Sequence, residues 1–420
     1  MPGPAAARNR TPMPSPRRLP VLLVLSLAVA GCRSGAKFDP DPPPHWANPR
    51  TDLADTAEAY PVPDRDTVAA LRLASARQSV VPGGKPLNVL CLSGGGQYGA
   101  YAVGLLCGWT ARGDRPEFDV VTGISSGALI APLAFLGPKY DPLLQREWNT
   151  LKTEDLFRYR PVPLHVVRDK ALASSDPMRD RIAAIFTTET LDDLRAAHRC
   201  GRRLFIGSMI LNSRRLVVWD LGAVATSNRP DADDLVRNIL LASSSIPGLV
   251  PPVELTADVN GRCVTELHAD GGAVSQTFLR FGANHPRPHP SDPAAHWLAG
   301  SNLYVIAGGK LYIDPVVGDM GFLSRATGAI SAALYALYRA DLWRLYSYCQ
   351  ASGMTFHHTA IPPALPTPGR STTFDPAVLR VMFTAGYDDS LKRTPWRTTP
   401  PGAEPGEEDA PRAGLRFTVP

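Results

Sequence analysis

Cysteine is scarce in this sequence, with six residues at wide spacings and no pair of the CxxC type. Zinc sites and the disulfide frameworks of small secreted proteins need cysteines at short, repeated intervals. Neither feature is expected, and no metal-binding residue is predicted. Cys91 lies in a strand-like apolar run and Cys107 in a helical one, so both are predicted to be buried thiols.

Aspartate and glutamate are absent from residues 1–31. The apolar stretch Leu19–Ala30 in this segment has 12 residues, whereas a transmembrane helix needs about 20. A basic segment followed by a short apolar stretch is typical of a secretory signal peptide. Four arginines form the basic segment: Arg8, Arg10, Arg17 and Arg18.

The charge of the rest of the chain argues against one class of partner. The formal net charge is +5, and without the four arginines of the leading segment it is +1. A nearly neutral protein has no general electrostatic attraction to a polyanion. No nucleic-acid partner is therefore expected.

The leading apolar stretch ends at Val29-Ala30-Gly31-Cys32, which resembles a bacterial lipobox. The resemblance implies export, removal of residues 1–31 as a signal peptide, and a lipid on Cys32 that anchors the protein to a membrane of the cell envelope. The next residue is Arg33 and not the aspartate that favours retention in the inner membrane, so the outer membrane is the expected location. The alternatives are an ordinary secretory signal with a chance cysteine, or a buried strand.

Composition divides the remaining chain into three parts. Residues 32–67 are polar and rich in proline, which predicts a tether. Residues 68–396 carry the apolar runs of one large folded domain. Residues 397–420 are rich in proline and charged side chains, which predicts a disordered tail.

Strand-like and helical segments alternate at the start of the domain. Leu87–Leu92 predicts a buried strand, and a glycine turn and a helix over 97–110 follow it. Phe118–Thr122 predicts a second strand, followed by a turn and a helix that ends near Phe135. This alternation is typical of a three-layer α/β/α fold with a mainly parallel central sheet.

The first predicted helix has one face of small residues. Ala100, Gly104 and Gly108 are four positions apart and therefore share a face, which would let the helix approach a sheet closely. Further along, Leu204–Leu211 and Leu216–Trp219 flank a short polar turn and predict a hairpin.

Gly123-Ile124-Ser125-Ser126-Gly127 fits the pattern G-x-S-x-G between the second strand and its helix. A sharp strand-to-helix turn exposes the serine side chain, and Gly123 and Gly127 avoid clashes within the turn. The helix N-terminus then directs free N–H groups toward a developing oxyanion. Ser125 is the predicted nucleophile, and Ser126, in the first helical turn, is a less favoured candidate. The alternative is a structural turn with an exposed serine.

Gly94-Gly95-Gly96 lies at the first strand-to-helix turn, where unobstructed backbone N–H groups suit an oxyanion hole. With Gly99, the same turn also fits G-x-G-x-x-G, the pattern of a dinucleotide-binding fold. That fold needs an acid at the C-terminal end of its second strand. Asp119 has the right offset but begins its strand, so this alternative is less favoured.

Asp270-Gly271-Gly272 follows the strand-like run Val264–Ala269. The aspartate is therefore expected at the end of a strand, with Gly271 and Gly272 leaving space around it. The motif alone is also typical of an ordinary turn.

The three motifs, in this order, resemble those of the patatin-like phospholipase family, and the resemblance extends from about Leu87 to Leu311. Ser243–Pro252 resembles the serine- and alanine-rich segment of the family, and Leu303–Ile306 resembles its late strand. Two positions depart from the plant-type pattern, because Ser93 replaces the usual aspartate before the glycines and Tyr98 replaces the usual basic residue after them.

The resemblance implies a serine acyl hydrolase of the phospholipase A, lysophospholipase or esterase type that uses no cofactor. Ser125 would form an acyl-enzyme, Asp270 would act as its base, and the amides of Gly94–Gly96, above all Gly95 and Gly96, would bind the oxyanion. An aspartate has a reference pKa of about 3.9 and is a weak base toward an alcohol. Asp270 must therefore be desolvated and within hydrogen-bond reach of Ser125. An acyl lipid or phospholipid is the expected substrate, and protein partners are not predicted.

Histidines provide the alternatives to a Ser–Asp pair. His268 lies two residues before Asp270, so both side chains would share one face of a strand, and a Ser–His–Asp triad could use it. A structural histidine is the favoured interpretation. A metal site built from the remaining histidines of the C-terminal half is less favoured, because proline-rich spacing fixes no ligand geometry. These histidines are His285, His289, His296, His357 and His358.

Two other functions remain open for this sequence. The first is a non-catalytic acyl-binding or scaffold protein of the envelope with the same fold. The second, less favoured, is a dinucleotide-binding protein built on the glycine turn.

Overall fold

The computed structural model describes residues 50–52, 86–159, 171–259, 262–280, 298–312, 322–367, 370–392 and 395–403. The predicted signal peptide, Cys32 and the histidines at 285, 289 and 296 lie outside these residues. All described residues belong to one compact unit, Pro43–Pro420. No helix in these ranges is long and apolar enough to cross a bilayer.

The strands and helices are numbered in chain order. The strands are β1 (Arg50–Asp52), β2 (Asn88–Leu92), β3 (Val120–Ile124), β4 (Arg158–Tyr159), β5 (Ala173–Ser174), β6 (Arg203–Ile210), β7 (Arg215–Asp220), β8 (Val253–Val259), β9 (Arg262–Asp270), β10 (Asn302–Ile306) and β11 (Thr355–Thr359). The helices are α1 (Gly99–Arg112), α2 (Ser126–Leu136), α3 (Asp141–Thr150), α4 (Asp176–Ile185), α5 (Thr188–Arg199), α6 (Leu221–Ala225), α7 (Ala232–Ser243), α8 (Phe322–Ser352) and α9 (Pro376–Leu391).

The described strands form one nine-stranded mixed sheet and a separate β4–β5 pair. The order along the large sheet is β1-β7-β6-β3-β2-β10-β11, and β9 pairs with β6 and β8. The strands from β6 to β11 in this order are parallel, whereas β1, β7, β8 and β9 pair antiparallel with their neighbours. Helices cover the sheet, so the predicted α/β fold with a mainly parallel centre is confirmed.

Alternate side chains of β2 enter two separate hydrophobic cores, as the period of a strand requires. Leu90 and Leu92 pack into the core that contains α1 and α2. Val89 and Cys91 pack into the second core, which includes Leu342 of α8. A strand buried on both faces must be apolar throughout, which explains the short apolar run that marks β2 in the sequence.

The small-residue face of α1 packs against α9 and not against a sheet, which corrects the prediction. A Cβ added to Gly104 would lie 1.9 Å from the carbonyl oxygen of Phe383. A Cβ added to Gly386 of α9 would lie 2.1 Å from the carbonyl oxygen of Tyr101. The two helix backbones are therefore in direct contact, and larger side chains would separate them.

Two short segments assigned to the tether and the tail by composition carry structure. Arg50–Asp52 pairs with β7 as the edge strand β1. Arg397 exchanges two backbone hydrogen bonds of 2.8 Å with His358 of β11, and the indole nitrogen of Trp343 donates to the carbonyl oxygen of Pro401 at 3.1 Å. The packed part of the chain therefore extends past the predicted boundary at residue 396.

Candidate active site

Ser125 occupies the sharp turn between β3 and α2 with φ 55° and ψ −127°. A side chain other than glycine rarely adopts a positive φ, and such strain is concentrated at functional sites. The turn is also crowded, because a Cβ added to Gly127 would lie 2.5 Å from the carbonyl oxygen of Leu92. A Cβ added to Gly123 would lie 2.6 Å from that of Gly127. Glycine is therefore required on both sides of the serine.

The side chains of Ser125 and Asp270 meet directly. The hydroxyl of Ser125 donates to Oδ2 of Asp270 at 2.6 Å. The other carboxylate oxygen accepts the backbone N–H of Gly272 at 2.7 Å, and this bond orients the carboxylate. The structure thus brings together two residues that are 145 positions apart in the sequence.

Strand register explains this meeting. β3 pairs with β6 as far as Ile124 opposite Gly207. β9 pairs with β6 from the other direction and ends with Asp270 opposite Ser208. Since β7 occupies the other side of this part of β6, β3 and β9 approach each other end to end along one edge. Their terminal residues are therefore adjacent.

Burial raises the pKa of Asp270 to about 6, and the hydrogen bonds from Ser125 and Gly272 partly oppose this effect. Burial has this effect because the charged form of a carboxylate loses its hydration. A carboxylate with a pKa near neutrality is a better proton acceptor than an exposed aspartate. The carboxylate of Asp270 is therefore desolvated and in contact with Ser125.

The triple-glycine turn lies beside the serine. A Cβ added to Gly94 would lie 3.1 Å from Cβ and 3.7 Å from Oγ of Ser125. Gly95 packs on the chain after β10, since its Cβ would lie 1.6 Å from the carbonyl oxygen of Gly308. Within the described part of the chain, the backbone N–H groups of Gly94, Gly95 and Gly96 donate no hydrogen bond. The turn is thus close to Ser125 and supplies free N–H donors.

A run of three serines at the C-terminal end of α7 supports both members of the pair. Ser243 Oγ accepts the backbone N–H of Ser125 at 3.0 Å and donates to the carbonyl oxygen of Gly207 at 2.6 Å. Ser244 Oγ donates to the carbonyl oxygen of Ser125 at 3.2 Å. The carbonyl oxygen of Ser245 accepts the N–H of Asp270 at 2.8 Å. Sequence reasoning missed this role, although the serine run itself was a visible signal.

Neither departure from the plant-type pattern brings a cation to the turn. Ser93 Oγ accepts the N–H of Gly308 at 2.9 Å, which joins the end of β2 to the end of β10. The hydroxyl of Tyr98 donates to the carbonyl oxygen of Thr367 at 3.2 Å. Both side chains stabilise the loops around the turn.

His268 is a buried structural residue. Its Nδ1 lies 3.1 Å from Ser208 Oγ, and its Nε2 lies 3.2 Å from Glu266 Oε2. Both ring nitrogens are therefore engaged away from Ser125 and Asp270. The contacts support the structural interpretation and give no support to a Ser–His–Asp triad.

The other candidate residues lie outside the site or are enclosed. Ser126 is 5% exposed, so a substrate could not reach it without a rearrangement. Asp119 precedes β3 and its carboxylate accepts the N–H of Asn88 at 2.8 Å, at the end of the sheet opposite to the glycine turn. This placement does not favour a dinucleotide site.

The two other candidate histidines in the described chain, His357 and His358, have structural contacts. His357 stacks on the ring of Tyr304, with 4.8 Å between ring centroids. His358 Nε2 lies 2.8 Å from the carbonyl oxygen of Thr399. Among the described residues, no group of three or more His, Cys, Asp and Glu side chains could hold a metal ion.

Comparisons with known proteins agree with the motifs. The family model described as patatin-like phospholipase matches residues 90–281. VipD from Legionella pneumophila is a similar solved structure, with 12% sequence identity over 73% of this chain and 66% of that chain and a TM-score of 0.35. This chain thus spans slightly less than two thirds of VipD. No curated protein sequence gave a significant match.

The matched range contains every motif of the candidate site. It begins within β2, before the triple-glycine turn, and ends after the loop that follows Asp270. Over residues 90–281, the chain is similar to the patatin-like phospholipase family.

Proposed function

We propose that this protein is a serine hydrolase that cleaves carboxylic ester bonds of lipids, with Ser125 as nucleophile and Asp270 as base. The observation that carries the proposal is the hydrogen bond of 2.6 Å from Ser125 Oγ to Asp270 Oδ2. A nucleophile and a base must be in such contact for proton transfer to accompany attack.

Acylation follows from this contact. Ser125 Oγ attacks the ester carbonyl carbon while its proton moves to Asp270, and the carbonyl oxygen becomes an oxyanion. When the tetrahedral intermediate collapses, the carbon–oxygen bond to the leaving alcohol breaks, and Asp270 returns the proton to that alcohol. The acyl group is then an ester of Ser125.

Deacylation repeats these steps with water. The oxygen of a water molecule attacks the acyl carbonyl carbon while Asp270 accepts a proton from that water. When the tetrahedral intermediate collapses, the bond from the carbon to Ser125 Oγ breaks, Asp270 returns the proton to Ser125 Oγ, and the carboxylic acid leaves. The same carboxylate therefore serves both half-reactions. Its raised pKa suits this alternation, since it must gain and lose a proton in each cycle.

Gly94–Gly96 provide the proposed oxyanion hole. Their free amides and the closeness of Gly94 to Ser125 support this role. Each well-placed donor to an oxyanion contributes about 3–4 kcal/mol to transition-state stabilisation. Gly95 packs closely against the carbonyl group of Gly308, and this contact fixes the position of the turn before the reaction.

The proposed substrate is a phospholipid or lysophospholipid of the bacterial envelope. The match to the patatin-like phospholipase family model supports a lipid substrate. The lipobox-like sequence at Cys32 would anchor the protein to a membrane, and an anchor raises the local concentration of membrane lipids at the site. We further propose that residues 32–67 act as the tether between the anchor and the domain.

Labelling with a fluorophosphonate probe tests the proposal. The wild-type protein should react at Ser125, the Ser125→Ala variant should not react, and Ser126→Ala should react like the wild type. A panel of phospholipids and short p-nitrophenyl esters then defines the substrate. An unlabelled, inactive but folded wild-type protein would favour the non-catalytic acyl-binding alternative.

A further inference from the structure

Gln276 follows the DGG turn, and its side chain is bonded to that turn and lies near the triple-glycine turn. Its Nε2 donates to the carbonyl oxygen of Gly272 at 2.5 Å. A Cβ added to Gly94 would lie 3.6 Å from Oε1 of Gln276 and 3.1 Å from Cβ of Ser125. The carboxamide of Gln276 is therefore located between the DGG turn and the triple-glycine turn.

Asp341 of α8 holds the backbone of this segment. Its Oδ2 accepts the N–H of Gln276 at 2.7 Å and the N–H of Thr277 at 3.3 Å. The hydroxyl of Ser275 lies 3.2 Å from the same oxygen and shares its hydrogen with the carbonyl oxygen of Thr277 at 2.9 Å. Its Oδ1 accepts from the guanidinium of Arg344 at 2.5 Å. An uncharged side chain could not accept from all four donors.

The carboxylate of Asp341 is almost fully enclosed, with 1% of the side chain exposed. Burial raises its pKa to about 6, and Arg344 and the loop donors oppose this effect. A buried carboxylate destabilises the folded protein unless donors compensate it. Apart from Arg344, the donors that compensate Asp341 all belong to the segment that carries Gln276.

We propose that Asp341 and Gln276 are positioning residues for the Ser125–Asp270 pair, a role that rests on the function proposed above. Asp341 fixes the backbone at Gln276, and the side chain of Gln276 holds the carbonyl side of Gly272. The N–H of Gly272 in turn orients the carboxylate of Asp270. The series of contacts runs without a gap from α8 to the nucleophile.

Asp341 lies beyond residues 90–281, the range that matches the family model. The three sequence motifs therefore contain no signal for it. The part of the chain outside the matched range thus contributes directly to the geometry of the site.

Steady-state kinetics of Asp341→Asn and Gln276→Ala with a soluble p-nitrophenyl ester test the role. Each variant should lower kcat about tenfold or more with little change in KM, because displacement of a base by a fraction of an ångström slows the chemical step. The rate constant of fluorophosphonate labelling at Ser125 should fall in parallel. A residue that only stabilises the fold would lower the melting temperature and leave these rate constants unchanged.

Asp141→Asn is the matched control. Asp141 is also a buried carboxylate, and it accepts from Arg115 at 2.8 Å and from Thr110 at 2.6 Å. Thr110 lies near the end of α1 that is remote from the glycine turn. The control should lower the melting temperature without lowering kcat.

The double variant Asp341→Asn/Gln276→Ala separates a shared path from two independent effects. If Asp341 acts through Gln276, the double variant should be no slower than the slower single variant. Multiplied effects, or a folded Gln276→Ala variant with wild-type kcat, would overturn the inference. Gln276 is partly exposed, so its variant decides the question even if Asp341→Asn does not fold.

Labelling of the wild-type protein separates this inference from the proposed function. If the wild-type protein is not labelled at Ser125, the proposed function fails and this role fails with it. If the wild type is labelled and both variants are labelled at the same rate, only the role of Asp341 and Gln276 is wrong.

Discussion

The backbone N–H of Ser125 donates to Ser243 Oγ at 3.0 Å, a contact across 118 positions of sequence. The strained turn at Ser125 is thus held by a side chain at the end of α7. The same hydroxyl donates to Gly207 of β6, the strand along which β3 and β9 meet. One serine therefore ties the turn to the sheet.

Ser243→Ala should lower kcat about tenfold and the free energy of unfolding by about 1–3 kcal/mol, because two buried backbone groups lose their partner. Ester hydrolysis and chemical denaturation measure the two effects. Ser245→Ala is the matched control, since Ser245 is also fully buried and its hydroxyl donates to Leu241 of its own helical turn. Equal kcat values in the two variants would show that Ser243 does not support the nucleophile.

The rate of acylation should depend on the protonation of Asp270. Its pKa of about 6 means that the carboxylate loses its capacity as a base as the pH falls through about 6. The kcat/KM of the wild type should therefore decline below that pH, and the Asp270→Asn variant should have only residual activity at every pH. A profile that is flat between pH 5 and pH 8 would contradict the assignment of Asp270 as base.

Asp270 should also affect stability, with a definite sign. Its pKa is raised on folding, so the folded state binds more protons than the unfolded state between about pH 4 and about pH 6. The stability that Asp270 contributes is present below this range and is lost as the pH rises through about 6. The unfolding free energy of Asp270→Asn minus that of the wild type should increase between pH 4 and pH 8, by up to about 3 kcal/mol. Urea denaturation at both pH values measures this difference, and a decrease would show that the carboxylate is stabilised in the folded state.

Gly95→Ala should severely reduce activity, because the added Cβ would lie 1.6 Å from the carbonyl oxygen of Gly308 and would displace the glycine turn. A loss of about 100-fold or more in kcat is expected for displaced oxyanion donors. Gly309→Ala is the control, since no atom lies within 4 Å of its added Cβ. Activity that survives Gly95→Ala would locate the oxyanion hole elsewhere.

The anchor at Cys32 can be tested in a bacterial host. Cys32→Ser should abolish the incorporation of an alkyne fatty acid and should release the protein from the membrane fraction. Cys200→Ser is the control, because Cys200 is an exposed free cysteine of the domain. Incorporation that persists in Cys32→Ser would place the lipid on another residue.

The nucleophile turn could be predicted because its requirements are local. The residues from Gly123 to Gly127 fix a strand end, a strained turn and a helix start within five positions, and the structure has all three. The placement of Asp270 at the end of a strand is also predicted from a local pattern, an apolar run followed by an aspartate and two glycines. The meeting of the two depends on the register of β6 with both strands, which the motifs alone do not determine.

The supporting contacts could not be predicted, for a physical reason. Ser243 and Asp341 act through hydrogen bonds to backbone groups. Nearly every residue has the same backbone groups, so the sequence does not indicate which of them a side chain will bind. For a similar reason, the sequence wrongly predicts a sheet, and not α9, as the partner of the small-residue face of α1. Gly104 indicates a close neighbour, but helix and sheet backbones can both provide one.

The position of β10 sets a limit on dividing this chain. β10 lies between β2 and β11 and pairs with β2 along its whole length, yet it follows the end of the matched range at residue 281. A fragment that stopped there would turn a central strand into an open edge, with unpaired peptide groups beside the glycine turn. The segment that matches the family model therefore lacks a strand from the middle of the described sheet, and we expect that a fragment meant to fold and react must retain β10 together with α8 and α9.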